Sequence, residues 1–315
     1  MHNKKILLSY VPHAASKYYH PMTESSPDWS DYSKFKDDFK KNHDFDFAVL
    51  FNSRNIRRKN PGDIILSYKR FCDGLSKKAA KRCCLIMKTA LADENGTDLL
   101  AVKRAICPDY QVVFIQDALP VQKMNWLYNL IDCTFFMSNA EGFGMAAIES
   151  MTCGKMIIAP VTGGLQDQMR FEDENGRWID VSEEFPSNHR AKYVKCGEWA
   201  VPLFPTSRTL SGSVPTPFIF DSHVDSEDAA EAIRFVYNLP ADERVRRGQL
   251  GREWALSSES GMSLTEMCSR YSRAVDKLLE TWQPPSKKWE LIPVGERESK
   301  ESMGILWWEE QSSGQ

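Results

Sequence analysis

The chain has 315 residues, 42% hydrophobic and 26% charged, and forty basic against forty-three acidic side chains leave a formal charge of −3. That composition describes a folded protein of one large or two modest domains and excludes a disordered, collagen-like or coiled-coil chain. It carries no global basic field, so nucleic acid is not an expected partner and any anion site must be local.

Residues 6–11 read as a strand, and the basic flank before them precedes too short an apolar run for a signal peptide. A polar, aromatic-rich connection follows, then a charged helix near 32–41. No apolar stretch approaches the ~18 residues of a membrane span. The eight cysteines form no C-x-x-C pair and mostly sit inside apolar runs, which suits small core residues in a reducing, cytoplasmic setting. The histidines show no metal-ligand spacing.

Five nearly continuous apolar runs begin at Phe47 (FAVLF), Cys83 (CCLIM), Val112 (VVFI), Cys133 (CTFFM) and Met156 (MIIA). Unbroken runs of this length suit parallel strands covered on both faces. Helical stripes lie between them, Ile64, Tyr68, Phe71 and Leu75 in one, Met124, Leu127, Tyr128 and Ile131 in another. The strand spacing is close to the ~30 residues of a βαβ unit. The fold class is α/β, a doubly wound, parallel, Rossmann-like sheet with ligands expected at the carboxyl ends of its strands. Residues 182–222 show no period and recurrent prolines, and read as a long irregular insertion. Helices return at 227–237, 241–256 and 264–282, the last with Leu264, Met267, Tyr271, Val275, Leu278 and Trp282 on one buried stripe. Pro284-Pro285 ends it. A mixed-charge tail then carries Trp307-Trp308, expected to pack on its own domain.

Three strand-to-helix turns carry chemistry. After the Phe47 run comes Asn52-Ser53-Arg54-Asn55-Ile56-Arg57-Arg58-Lys59-Asn60-Pro61. Asn60 reads as an N-cap and Pro61 as the first helical residue. Four cations just ahead of a helix start sit where the potential is already positive. They are either a solvated basic loop or a phosphate site. After the Cys133 run comes Glu141-Gly142-Phe143-Gly144-Met145, leading into a helix with Glu149 in its middle. Gly142 and Gly144 let backbone approach a ligand closely. A carboxylate at 149, beside apolar neighbours, is costly unless hydrogen-bonded. The third turn holds Gly163-Gly164, by itself more often a plain turn than a cradle.

Together these residues resemble the donor-binding lobe of family-4 retaining glycosyltransferases, the glycosyl transferases group 1 with the two-lobed GT-B fold. The resemblance rests on the Glu-x7-Glu pair Glu141 and Glu149, the Arg-x4-Lys pair Arg54 and Lys59, and the turn at Gly163-Gly164. It runs from about residue 12 to 282. It implies a hexosyltransferase taking a UDP- or GDP-sugar donor, acting with retention and without a metal or other cofactor. Arg54 and Lys59 would hold the diphosphate and neutralise its developing charge. Glu141 would bind a donor-sugar hydroxyl, and the amides of Phe143, Gly144 and Met145 would bind sugar or phosphate oxygens. Glu149 would accept from the ribose, and the loop with Gln116 and Asp117 would lie against the base. Asp44-Phe45-Asp46 imitates a metal-binding Asp-x-Asp but precedes its strand and reads as an ordinary acidic turn.

The resemblance divides the chain into an interlobe remnant (1–46), a nucleotide-sugar-binding domain (47–283, with the irregular insertion) and a tail (284–315). The family's Pro-Asn/His-Gly-x-Asp linker appears as Pro12-His13-Ala14-Ala15-Ser16, lacking the glycine and aspartate. An acceptor-binding lobe of ~150 residues would precede it and is missing. Three readings follow: a truncated product, a separate acceptor-binding chain, or substitution by the insertion and tail. The acceptor itself is not legible. A non-catalytic nucleotide-sugar-binding subunit is the alternative, and an epimerase or phosphorylase is a third reading without identifiable machinery.

Overall fold

Apolar runs pair side by side because each strand, covered on both faces, satisfies its backbone only through neighbouring strands. The computed structural model describes residues 8–179, 195–212 and 214–282. The chain divides into two units, Met1–Ala274 and Val275–Gln315. In the first, α1 (Trp29–Asn42) leads to β1 (Phe47–Asn52), α2 (Pro61–Asp73), α3 (Lys77–Ala80) and β2 (Cys83–Lys88). Then come α4 (Leu99–Ile106), β3 (Val112–Ile115), α5 (Val121–Leu130), β4 (Cys133–Phe135), α6 (Met145–Thr152), β5 (Met156–Pro160) and α7 (Leu165–Met169). They are followed by β6 (Ala200–Leu203), the hairpin β7 (Ser207–Leu210) and β8 (Phe220–His223), α8 (Ser226–Asn238), α9 (Ala241–Leu256) and α10 (Leu264–Thr281), the last beginning in the first unit and ending in the second.

The main sheet has the order β3-β2-β1-β4-β5-β6, all parallel. Alternation along β1 assigns its two faces. Phe47, Val49 and Phe51 pack with Ile64, Tyr68 and Phe71 of α2 and Ile233 of α8. Ala48 and Leu50 pack with Leu127 and Tyr128 of α5 on the opposite face. Further along that sheet, Ile157 and Ala159 pack with Ile148 of α6 and Trp254 of α9. The expected doubly wound α/β lobe is therefore present. Strand order reverses between β1 and β4, which are parallel neighbours, and such a switch point opens a crevice at the strands' carboxyl ends.

Local signals set the helix starts. Asp98 Oδ1 accepts from the Ala101 amide at 3.0 Å and caps α4. Asp98→Ala is expected to lower stability by about 1 kcal/mol, read as a lower urea midpoint with an unchanged slope.

Four expectations are corrected. Residues 8–11 form no strand; this segment is tied down instead by side chains, as Tyr10 Oη donates to Asp167 Oδ2 at 3.0 Å. Within the 182–222 span read as irregular, residues 200–203 form the sixth sheet strand and 207–210 pairs with 220–223. The signal was short, and Pro202 lies in an edge strand, the one sheet position that tolerates proline. Asn60 precedes α2 but caps nothing with its side chain, standing instead at φ 49. The stripe on α10 exists, yet the helix buries none of its residues and leaves Leu264, Tyr271, Leu278 and Trp282 exposed. Periodicity reports an apolar face, not what covers it. Residues 6 and 7, the 182–194 part of the insertion, Pro284-Pro285 and Trp307-Trp308 lie outside the described residues.

All eight cysteines are free thiols, six of them buried. Among the described residues no helix is long and apolar enough to cross a membrane. Asp44 and Asp46 pair with the Arg82 guanidinium, at 2.5 Å for Asp46, as an ordinary acidic turn does.

Candidate functional site

A cleft of about 290 Å³ opens at the switch point, lined by Asn52, Ser53, Lys59, Glu141, Met145 and Glu149 among others. Its floor is built by the turn after β1. Asn55, fully buried, donates to the carbonyls of Ala90 and Thr97 at 3.1 and 2.7 Å. A single 3₁₀ turn, Arg57–Lys59, follows and is stitched across to the β4 loop, because the Asn139 amide donates to the Arg58 carbonyl at 2.8 Å. Asn60 Nδ2 donates to the Met137 carbonyl at 2.7 Å. Its left-handed backbone, which asparagine tolerates best among residues with a side chain, frees the amide for that bridge.

This stitching carries Lys59 inward until it is 8% exposed, where its ammonium pairs with Glu141. Burial pushes the Lys59 pKa down and the Glu141 carboxylate opposes that push. Ser138 Oγ donates to Glu141 Oε1 at 3.0 Å, and Arg58 approaches Oε2 at 3.5 Å while donating to the Ala140 carbonyl at 2.8 Å. The expected partner of Lys59 is elsewhere. Arg54 is 65% exposed, its Nε on Asp93 Oδ2 at 3.2 Å. Lys59 and Glu141 are brought together; the Arg54 guanidinium is not.

The Glu141–Gly144 loop turns into α6 through Gly144 at φ +89. The first amides of a helix lack intrahelical partners and carry the positive end of its dipole; with Gly144 as N-cap these belong to Met145 and Ala146, which line the cleft with Lys59, while Phe143 is buried ahead of the cap. Gly163 and Gly164 lie beneath this loop, buried. A Cβ on Gly163 would strike the Glu141 carbonyl oxygen, and one on Gly164 would come within 2.7 Å of Phe143 Cα. They shape the loop from below and do not line the cleft. Gln116 and Asp117 stand exposed after β3, two strands from β1, and do not line it either.

Glu149 does line the cleft. Among the described residues neither a backbone amide nor a lysine holds it. Its partner is Tyr128, which donates to Oε2 at 2.7 Å. The segment before α1 is tied to α5 and the α6 loop: the His20 amide donates to Asn125 Oδ1 at 3.0 Å, the Met22 amide to Asn129 Oδ1 at 2.8 Å, and His13 stands edge-on to Phe143 with centroids 5.5 Å apart. Asn55, Asn60, Ser138 and Tyr128 were not legible as site residues. Tyr128 fell on an apolar stripe, where only its hydroxyl hinted at more.

Residues 92–187 match the family model described as Glycosyl transferases group 1. That span includes β4, the Glu141–Gly144 loop, α6 and the Gly163-Gly164 turn. Among solved structures, sucrose-phosphate synthase from Thermosynechococcus elongatus is similar with a TM-score of 0.57 at 16% identity, over 86% of this chain and 53% of that one. HepE from Anabaena, in complex with UDP and glucose, is similar with a TM-score of 0.54 at 15% identity, over 86% and 55%. A glycosyltransferase from Rickettsia africae gives 0.54 at 16%, over 86% and 57%. The chain thus spans about half the length of these structures and shares the fold of a GT-B lobe. No curated protein matches it in sequence.

Proposed function

We propose that the chain is the donor-binding lobe of a glycosyltransferase that moves a hexose from a UDP- or GDP-sugar with retention of configuration. The carrying observation is the buried Lys59–Glu141 pair beside the amino terminus of α6 at the sheet's switch point. A buried cation beside unpartnered helix amides is suited to a diphosphate. In this reading Lys59 neutralises the leaving diphosphate where a metal would otherwise be needed, Glu141 accepts from a sugar hydroxyl, and Glu149 accepts from the ribose. Gln116 and Asp117 are assigned to the base, the least constrained role. Acceptor contacts are assigned outside the described lobe, in this chain or in another.

Arg54 enters as a second cation. Its ion pair with Asp93 is exposed and screened by solvent, so moving it to a diphosphate costs little. Arg54→Ala is expected to weaken nucleoside-diphosphate binding by about 1–2 kcal/mol, the scale of one charge-assisted hydrogen bond. The test is calorimetric titration of UDP, GDP and ADP into wild type and variant. Unchanged affinity removes Arg54 from the site. Donor hydrolysis or transfer by the chain marks an enzyme, whereas binding without turnover marks a donor-binding subunit.

A further inference from the structure

The carboxylate of Glu149 is served by a relay to which the donor reading has so far given no role. Tyr128 Oη donates to Glu149 Oε2 at 2.7 Å while accepting from Asn52 Nδ2, also at 2.7 Å. A phenol has one proton, and with an amide donating to its oxygen that proton is committed to the carboxylate. Tyr128 is fully buried, and Asn52 at the end of β1 is itself in the cleft wall. Tyr19, from the segment before α1, stands edge-on to Tyr128 with centroids 5.6 Å apart, and burial together with the nearby Glu149 carboxylate pushes its phenol pKa up. An ionised carboxylate offers about four acceptor positions. Tyr128 takes one of them and leaves room for a pair of neighbouring hydroxyls.

We propose that Tyr128, backed by Asn52 and Tyr19, is a positioning residue that keeps Glu149 an oriented acceptor for the vicinal diol of a ribose, so that the cleft selects ribonucleoside over 2′-deoxyribonucleoside diphosphates. The inference rests on the donor reading above. Burial pushes the Glu149 pKa up, and the Tyr128 and Tyr19 hydroxyls pull it down. The other titratable groups around it are Cys153, past the end of α6, and Lys59 and Glu141 in the shared cleft. A carboxylate accepts above its pKa and stops accepting as pH falls through it. Removing a phenol raises that pKa further, so ribose binding fails at a higher pH.

The test titrates the full chain, wild type, Tyr128→Phe and Tyr19→Phe, with UDP, GDP and ADP and with their 2′-deoxy counterparts across a pH series. Wild type is expected to prefer the ribose form of the base it binds by about tenfold. Each variant should shrink that preference several-fold and move the acid limb of binding to higher pH. Tyr19→Phe, at a half-buried position, carries the test if Tyr128→Phe does not fold. Equal weakening of both sugar forms with an unmoved acid limb marks a merely structural tyrosine and overturns the inference. Wild-type binding with an unaltered preference in both variants overturns it while leaving the donor reading intact. Wild type that binds no nucleoside diphosphate removes the donor reading and this inference together.

Discussion

Lys59→Ala is expected to lower nucleoside-diphosphate affinity by about 1–3 kcal/mol and to destabilise the fold as well. The two losses have separate causes. Glu141 is 8% exposed in its side chain and pairs with Lys59 inside the cleft wall. Removing one partner of a buried ion pair strands the other charge, at about 3–5 kcal/mol. Here the Ser138 hydroxyl at 3.0 Å and Arg58 at 3.5 Å remain, which places the effect near the low end. A double variant, Lys59→Met with Glu141→Gln, removes both charges and should recover most of the stability but none of the binding. Urea denaturation and calorimetry on the same preparations measure both. Diphosphate affinity equal to wild type in Lys59→Ala would take the ammonium out of the account.

Gly163→Ala is expected to cost more than about 2 kcal/mol and to weaken donor binding at least tenfold. Gly163 sits at φ +52, where a Cβ costs roughly 1–2 kcal/mol by itself. The added carbon also lands on the Glu141 carbonyl oxygen, a backbone atom. Relief requires the Glu141–Gly144 loop to lift, which carries Glu141 away from Lys59 and the α6 amides away from any phosphate. Gly142→Ala is the control. Nothing lies within 4 Å of its Cβ position, so its effect should stay within about 0.5 kcal/mol. A Gly163→Ala variant that unfolds and binds like the Gly142→Ala control would show that the loop is not supported from below.

The sheet was legible because its strands are short apolar runs whose physics is local: five of the six could be read from Phe47, Cys83, Val112, Cys133 and Met156. The sixth was hidden, since Ala200–Leu203 is four residues long with a proline inside. Edge position, a property of the assembled sheet, is what makes that proline tolerable. Lys59 and Glu141 could be named from their turns, but not their pairing, which depends on the backbone bridge from Asn139 to Arg58, far apart in sequence. Asn60 shows the opposite failure. Its position before Pro61 read as a cap, and the tertiary demand of the Met137 carbonyl won the side chain. The phenols beside Glu149 come from an apolar stripe and from the segment before α1, two places where pattern alone points to packing.

The most direct measurement of the central claim is a crystal structure of the chain soaked with UDP, GDP or ADP. The account predicts the diphosphate between Lys59 Nζ and the first amides of α6, with the ribose at Glu149. A diphosphate bound away from the β1–β4 crevice, with the Lys59–Glu141 pair untouched, would contradict it.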